Sequence, residues 1–418
     1  MLELVVVGLG YVGLPLVREA VRSGHHVSGL DSDPAVVAGL ASGRSHVDDV
    51  SDADVAAMLA GRFVPSVDPA VLDVADVVVI CVPTPLDLHG SPDLSSVLAA
   101  GRTVAEHLRP GVLVVLESTS YPGTTDDMLR PLLEESGLVV GTDLHLAFSP
   151  ERIDPGNPQF DLRRTPKVVG GVTPECGRRA GDFYRTVVDE VVMVPRAREA
   201  ELTKLLENTY RHINIALVNE MAKVCHELDI DVWSVIDAAA TKPFGFQSFR
   251  PGPGVGGHCI PIDPTFLSFK VREELGYPFR LVELAQQINE SMPAYVVTRT
   301  AELLEVDSVA LAGAQVLVLG TSYKRDVADQ RESPAVDVVR LLLEAGASVT
   351  YHDPSPIPWR SAPDGVVQVV DLEAGLAACD VAVLLQDHSA YDLDRVAELA
   401  PRLLDTRGRT RSAAVERL

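Results

Sequence analysis

Residues 4–8, LVVVG, run straight into GLGYVGLPLVREAVRSG and then HHVSGLD. A short apolar, β-branched run ended by glycine reads as a strand buried on both faces of a parallel sheet. Gly8, Gly10 and Gly13 follow in the order GxGxxG, with Tyr11 and Val12 completing the turn, where the strand gives way to a helix. Asp31 closes the next strand, 23 residues after Gly8. Strand, glycine turn, helix, strand and terminal acid form one unit of a doubly wound α/β fold. That unit binds dinucleotides: the glycines admit the pyrophosphate, the helix N-terminus faces it, and the acid takes a ribose hydroxyl. A carboxylate at Asp31 repels a 2′-phosphate, which points to NAD rather than NADP.

The same pattern returns in the last third of the chain. QVLVLG (315–320) reads as a strand ending in Gly320, and a helix and strand then lead to Asp353. CDVAVLLQDH (379–388) parallels ADVVVICVPT (75–84). The glycine-to-acid spacing is 33 residues here, ten more than in the first copy, and the excess sits in the first turn, TSYKRDVADQRE. Between the copies, residues 196–242 contain neither glycine nor proline. Leu202, Leu205, Leu206, Thr209, Ile213, Ala216 and Leu217 make an apolar stripe at helical spacing, which predicts a long central helix. The stripe packs either on its own domains or on a second copy of the chain. The fold class expected is therefore α/β, with two Rossmann-like domains joined by a helical region. The expected domains are 1–195, 196–300 and 301–418.

Composition narrows the function. A chain of 418 residues suits two or three domains. No apolar run reaches the length of a membrane span, and the N-terminus lacks the basic start of a signal peptide. Five widely spaced cysteines with no CxxC pair fit a cytoplasmic protein and argue against a disulfide framework or a zinc site. A net charge of −23 disfavours nucleic-acid binding, and an anionic ligand needs local basic groups and backbone donors.

Four segments supply reactive groups. SPER places Glu151 after a strand. ESTSYPGTT places the Thr119 hydroxyl at another strand end. ELTKLLEN puts Lys204 and Asn208 one helical turn apart, a cation and an amide donor suited to an oxyanion. PGPGVGGHCIPIDP (251–264) carries Cys259 and Asp263 in a loop whose glycines allow a ligand close to the backbone. A free cysteine is most often a small buried hydrophobe, as read for Cys81 and Cys379, but Cys259 stands in turn chemistry. A nicotinamide site plus a nucleophilic thiol can oxidise an aldehyde through a thioester. With a base, the same site can start from the alcohol.

On GLGYVGLPL, CVPTPL, STSYPGTT, FSPERIDPGN, PKVVGG, ELTKLLENTYRHINIALVNE, PGPGVGGHCIPIDP and LGTSYKRDVADQRESPA, the chain resembles the nucleotide-sugar 6-dehydrogenases over nearly its whole length. The resemblance implies NAD as cofactor, a central dimerising helix and a C-terminal domain that helps bind a nucleoside diphosphate. It implies Cys259 as nucleophile and Lys204 with Asn208 at the oxyanion. Asp263 would join Lys204 and a water in base catalysis, while Thr119 and Glu151 would serve thioester hydrolysis. NAD contacts fall on Gly8, Gly10, Tyr11, Val12, Gly13, Asp31, Thr84 and Thr119, with Arg331 near the cofactor phosphates. Substrate contacts fall on Glu151, Lys204, Asn208, Gly254, Gly256, Gly257 and Lys324. The loop resembles the UDP-N-acetylglucosamine branch; UDP-glucose and dTDP-glucose are alternatives. Two other classes compete: a 3-hydroxyacid dehydrogenase, which leaves the second α/β domain unexplained, and a non-catalytic sugar-nucleotide-binding subunit.

Overall fold

The computed structural model describes residues 1–47, 49–153, 160–257, 259–410, 412 and 415–418. Residues 154–157 of FSPERIDPGN and His258 of the glycine loop lie outside them. The chain forms two compact units: Met1–Glu207 with Thr265–Tyr277, and Asn208–Pro264 with Pro278–Leu418.

The first unit is built on eight strands: β1 (Glu3–Val7), β2 (His26–Leu30), β3 (Phe63–Ser66), β4 (Val77–Ile80), β5 (Leu113–Leu116), β6 (His145–Phe148), β7 (Lys167–Gly171) and β8 (Val191–Val194). They lie in the order β3-β2-β1-β4-β5-β6-β7-β8. β1 pairs in parallel with β2 from Glu3↔His26 to Val7↔Leu30, and with β4 from Leu4↔Val77 to Val7↔Ile80. The strand order reverses at this junction, and ligands collect outside the carboxyl ends of such strands. All pairings are parallel except β6–β7. Leu4, Val6, Leu14, Leu16, Val79 and Val115 belong to the core. The apolar runs are continuous because helices cover both faces of the sheet.

The second unit repeats this plan with β9 (Gln315–Leu319), β10 (Ser348–His352), β11 (Val367–Gln368), β12 (Val381–Leu384), β13 (Leu403–Asp405) and β14 (Glu416–Arg417), in the order β11-β10-β9-β12-β13-β14. Alternate residues of β9 and β12 feed opposite cores: Val316, Val318 and Val383 on one face, Leu317, Leu319 and Leu384 on the other.

The glycine-free segment forms one helix, Ala197–Glu227, and a shorter one, Val232–Ala240. The break between them passes through Asp229 in the left-handed region (φ 56°), and Asp231 caps the second helix by accepting from Trp233 N. The apolar stripe divides into two faces. Leu205, Thr209 and Ala216 are buried, whereas Leu202, Leu206 and Leu217 are exposed, together with Tyr210, Met221, Val224 and Leu228. Among the described residues no helix is long and apolar enough to cross a membrane.

Candidate active site

In the first unit, the residues singled out from the sequence gather at consecutive strand ends. Gly8 follows β1, Asp31 follows β2, Thr84 follows β4 closely, Thr119 follows β5 and Glu151 follows β6. Gly8 has φ 92°, and a Cβ there would stand 2.6 Å from the Cys81 carbonyl oxygen. A Cβ on Gly13 would stand 1.9 Å from the Gly8 carbonyl oxygen. These two glycines are required by the protein's own close packing. Gly10 differs: nothing lies within 4 Å of the Cβ it lacks. The helix Gly13–Arg22 begins beside it with no side-chain cap and no acidic residue in its first turn. Asp31 accepts from Leu9 N (2.8 Å) and Asp33 N (2.9 Å), and is half-buried at the end of β2. Tyr11 and Val12 are exposed and half-buried in the turn. Open space at Gly10, an uncapped helix start and an acid at the next strand fit a dinucleotide.

Deeper along the edge, Lys204 is 8% exposed and its Nζ donates to Thr119 Oγ1 (2.6 Å). Three residues earlier on the same helix, Glu201 accepts from Gly123 N (2.6 Å), Thr125 N (2.8 Å) and Thr125 Oγ1 (2.7 Å). It thereby pins the loop that follows Thr119. Burial pushes the Glu201 carboxyl up to about 7, against those donors. Glu151 Oε1 accepts from Arg152 N (2.7 Å) and Ile153 N (2.6 Å), while its Oε2 stands 3.4 Å from Lys167 Nζ. Lys167 also donates to Glu117 Oε2 (2.9 Å), and the Tyr184 hydroxyl donates to Glu117 Oε1. Burial lowers the Lys167 pKa, but the Glu117 and Glu151 charges more than offset this and hold it above the usual lysine value. Sequence reasoning missed this cluster. Its signal was a lysine opening the apolar strand KVVGG and a glutamate ending LVVLE, since charges in buried strands need partners.

In the second unit, Cys259 is exposed, whereas the other four cysteine thiols are buried. Its carbonyl accepts from Asp263 N (2.8 Å), in the turn that opens the helix Asp263–Leu275. Asp263 is 1% exposed, and Asn208 Nδ2 donates to its Oδ2 (2.5 Å). Asn208 therefore orients the aspartate, a partnership the sequence reading did not anticipate.

The glycines of the loop do not leave empty space. A Cβ on Gly254 would stand 2.9 Å from Pro334 Cβ, one on Gly256 2.5 Å from the Glu332 carbonyl oxygen, and one on Gly257 2.8 Å from Tyr323 Cε2. They admit the protein's own segment 323–334, where the sequence suggested room for a ligand. Lys324 is half-buried in that segment, and its carbonyl accepts from Ser322 Oγ (2.8 Å). Arg331 forms a bidentate pair with Asp329 (2.9 and 2.7 Å).

Three family models match the chain: the NAD binding domain of the UDP-glucose/GDP-mannose dehydrogenase family over residues 2–188, its central domain over 198–291, and its UDP binding domain over 317–411. The UDP-N-acetyl-D-mannosamine dehydrogenase of Pyrococcus horikoshii is 36% identical, with 93% of this chain and 90% of that protein covered. The UDP-N-acetyl-D-glucosamine 6-dehydrogenase of Pseudomonas aeruginosa is 35% identical, with 93% and 91% covered. The solved structure of the P. horikoshii UDP-D-ManNAc dehydrogenase superposes with a TM-score of 0.89 at 33% identity, covering 99% of this chain and 97% of that one. The chain belongs to the UDP-glucose/GDP-mannose dehydrogenase family and is an NAD-dependent nucleotide-sugar dehydrogenase.

Proposed function

We propose that this dehydrogenase oxidises the C6 primary alcohol of a UDP-N-acetylhexosamine, UDP-N-acetylglucosamine in the first place, to the uronic acid by removal of four electrons. One observation carries the reading: of five thiols, Cys259 alone is exposed, and it begins the turn that closes at the buried Asp263. The N-acetylated sugars named for the two relatives support the substrate class, with UDP-N-acetylmannosamine as the second candidate.

Gly8, Gly10, Tyr11, Val12, Gly13, Asp31, Thr84 and Thr119 would hold NAD⁺, which would supply the hydride acceptor, with two NAD⁺ bound in succession for each sugar. Lys204, Asp263 and a water take the C6 hydroxyl proton, with Asn208 holding Asp263 in place. Cys259 attacks the resulting aldehyde, and the Lys204 ammonium stabilises the oxygen charge that develops in both oxidations. After the second oxidation, Thr119, Glu151 and Asp263 place the water that hydrolyses the Cys259 thioester. Lys324 and the backbone at Gly254, Gly256 and Gly257 hold the sugar nucleotide, and Arg331 serves the cofactor phosphates. In this reading residues 1–195 bind NAD, 196–300 carry the thiol loop and the dimer helix, and 301–418 bind the nucleotide. The exposed face Leu206, Tyr210, Leu217, Met221 and Leu228 supports a homodimer. Thiols outside any disulfide suit the cytoplasm.

The test is the NADH yield from limiting sugar nucleotide with excess NAD⁺, run on UDP-N-acetylglucosamine, UDP-N-acetylmannosamine, UDP-glucose and dTDP-glucose. Two NADH per sugar from an N-acetylated substrate is the expected result. One NADH per sugar would remove the thioester from the scheme. Cys259→Ser should end turnover while allowing slow partial oxidation, and Lys204→Ala should slow both oxidations.

A further inference from the structure

Glu117, Lys167 and Tyr184 form a cluster that the reaction above leaves without a task. Glu117 and Tyr184 are fully buried and Lys167 is 4% exposed. A charge this deep is unfavourable unless it is paired. Lys167 and Glu117 cancel each other across 2.9 Å, and the Tyr184 hydroxyl occupies the remaining Glu117 oxygen. Lys167 also lies over the Tyr184 ring, 5.4 Å from its centre. The lysine still reaches the outer carboxylate, Glu151 Oε2, at 3.4 Å. The other Glu151 oxygen is held by two backbone N–H groups. Among the other described charged groups, Lys204 donates to Thr119 Oγ1 (2.6 Å). Arg152 is committed to Glu207 (2.7 Å), and burial with the Glu117 charge keeps the Cys81 thiol and Tyr184 phenol protonated. Lys167 therefore stands between two carboxylates, the inner one Glu117, whose pKa burial pushes up, and the outer one Glu151.

We propose that Lys167 is a positioning residue for thioester hydrolysis: it fixes Glu151 in one rotamer and places a cation between Glu151 and Glu117, while Glu117 and Tyr184 hold the lysine in place. This rests on the reading of Glu151 as a residue that places the hydrolytic water, and adds that Glu151 takes that water's proton. In that step the water oxygen bonds to the acyl carbon and the carbon–sulfur bond breaks. One water proton passes to Glu151, and the other passes from the new carboxylic acid to the departing Cys259 thiolate. Glu151 then returns its proton to solvent. A Glu151 that is already protonated cannot begin this sequence. Without Lys167, Glu117 and Glu151 face each other with no cation between them, and the pair retains a proton to higher pH.

The experiment compares Lys167→Met, Lys167→Arg and the double variant Lys167→Met/Glu117→Met with wild type, on UDP-N-acetylglucosamine and UDP-N-acetylmannosamine in separate runs. Lys167→Met should release a burst of two NADH per active site and then turn over at least tenfold more slowly. The acyl adduct on Cys259 should be visible by intact mass after acid quench. The acid limb of kcat should rise by a pH unit or more, with KM for the sugar nucleotide within about twofold. Lys167→Arg should stay near wild type. The double variant replaces the buried pair by apolar groups, so it folds even where the single variant does not, and it should return the acid limb at least halfway. A Lys167→Met enzyme with an unshifted limb and no acyl adduct overturns the proposal, as does a double variant displaced as far as the single one. Wild type yielding one NADH per sugar would instead overturn the hydrolytic reading on which it stands.

Discussion

The two sheets begin alike and diverge within a few residues. In each, the first strand ends in a left-handed glycine, Gly8 at φ 92° and Gly320 at φ 82°. In each, the acid after the second strand accepts from the N–H that follows this glycine: Leu9 N to Asp31 (2.8 Å) and Thr321 N to Asp353 (2.7 Å). The first chain segment then starts its helix at Gly13, whereas the second wanders to Ala335. Asp31 remains half-buried, while Asp353 is 5% exposed and takes Thr321 Oγ1 and Ser355 N as well, with His388 Nε2 3.6 Å away. The latch between glycine and acid is thus a structural device common to both sheets. What separates a ligand site from a locked corner is the turn and the number of donors around the acid.

Replacing the latch glycines should do the most damage and should damage both sheets equally. Gly8→Ala and Gly320→Ala each force a Cβ to 2.6 Å from a backbone carbonyl oxygen at positive φ. Each should cost about 3 kcal/mol or more, read as a drop in urea midpoint. A tolerant Gly320→Ala would show that the second latch is ornamental.

Asp353→Asn comes next. Burial alone would raise this carboxyl, but His388 and the N–H groups of Thr321 and Ser355 pull it down to about 2. A depressed folded-state pKa gives stability that is present above about pH 4 and lost as pH falls through about 2. The variant should lose about 2 kcal/mol at pH 7, and its difference from wild type should vanish near pH 2.

Asp31→Asn should behave otherwise: under about 1 kcal/mol of stability lost, but roughly tenfold less discrimination against NADP in kcat/KM. An equally large stability loss at both acids would erase the contrast between the two corners. The smallest structural effect belongs to Gly10→Ala. Its Cβ would meet nothing within 4 Å, so Tm should barely move while KM for NAD rises about tenfold. A folding defect in Gly10→Ala would mean that the open space is not reserved for a ligand.

Much of this was legible in the sequence because it is local. The strand-turn-helix order at Gly8–Gly13, the acid at Asp31 and the second copy around Gly320 and Asp353 follow from short-range periodicity and turn chemistry. The misses are long-range. That the missing Cβ of Gly256 faces Tyr323 and Glu332, over 60 residues later in the chain, is not visible in the loop's own sequence. Leu205 and Leu206 look equivalent in a periodic stripe, yet the helix buries one and exposes the other. Lys167 and Glu117 lie 50 residues apart, so neither reveals its partner by spacing. β7 runs antiparallel to β6 and parallel to β8, a reversal that its own composition does not mark.

The burial of Cys81, Cys176, Cys225 and Cys379 has a practical consequence. Reagents that modify thiols meet a folded chain with one address. A single equivalent of alkylating agent should titrate Cys259 while the other four serve as internal controls until denaturant is added. An exposed thiol also admits peroxide, so oxidation should begin at this sulfur, and reversal by thiol reductant would mark how far it had gone.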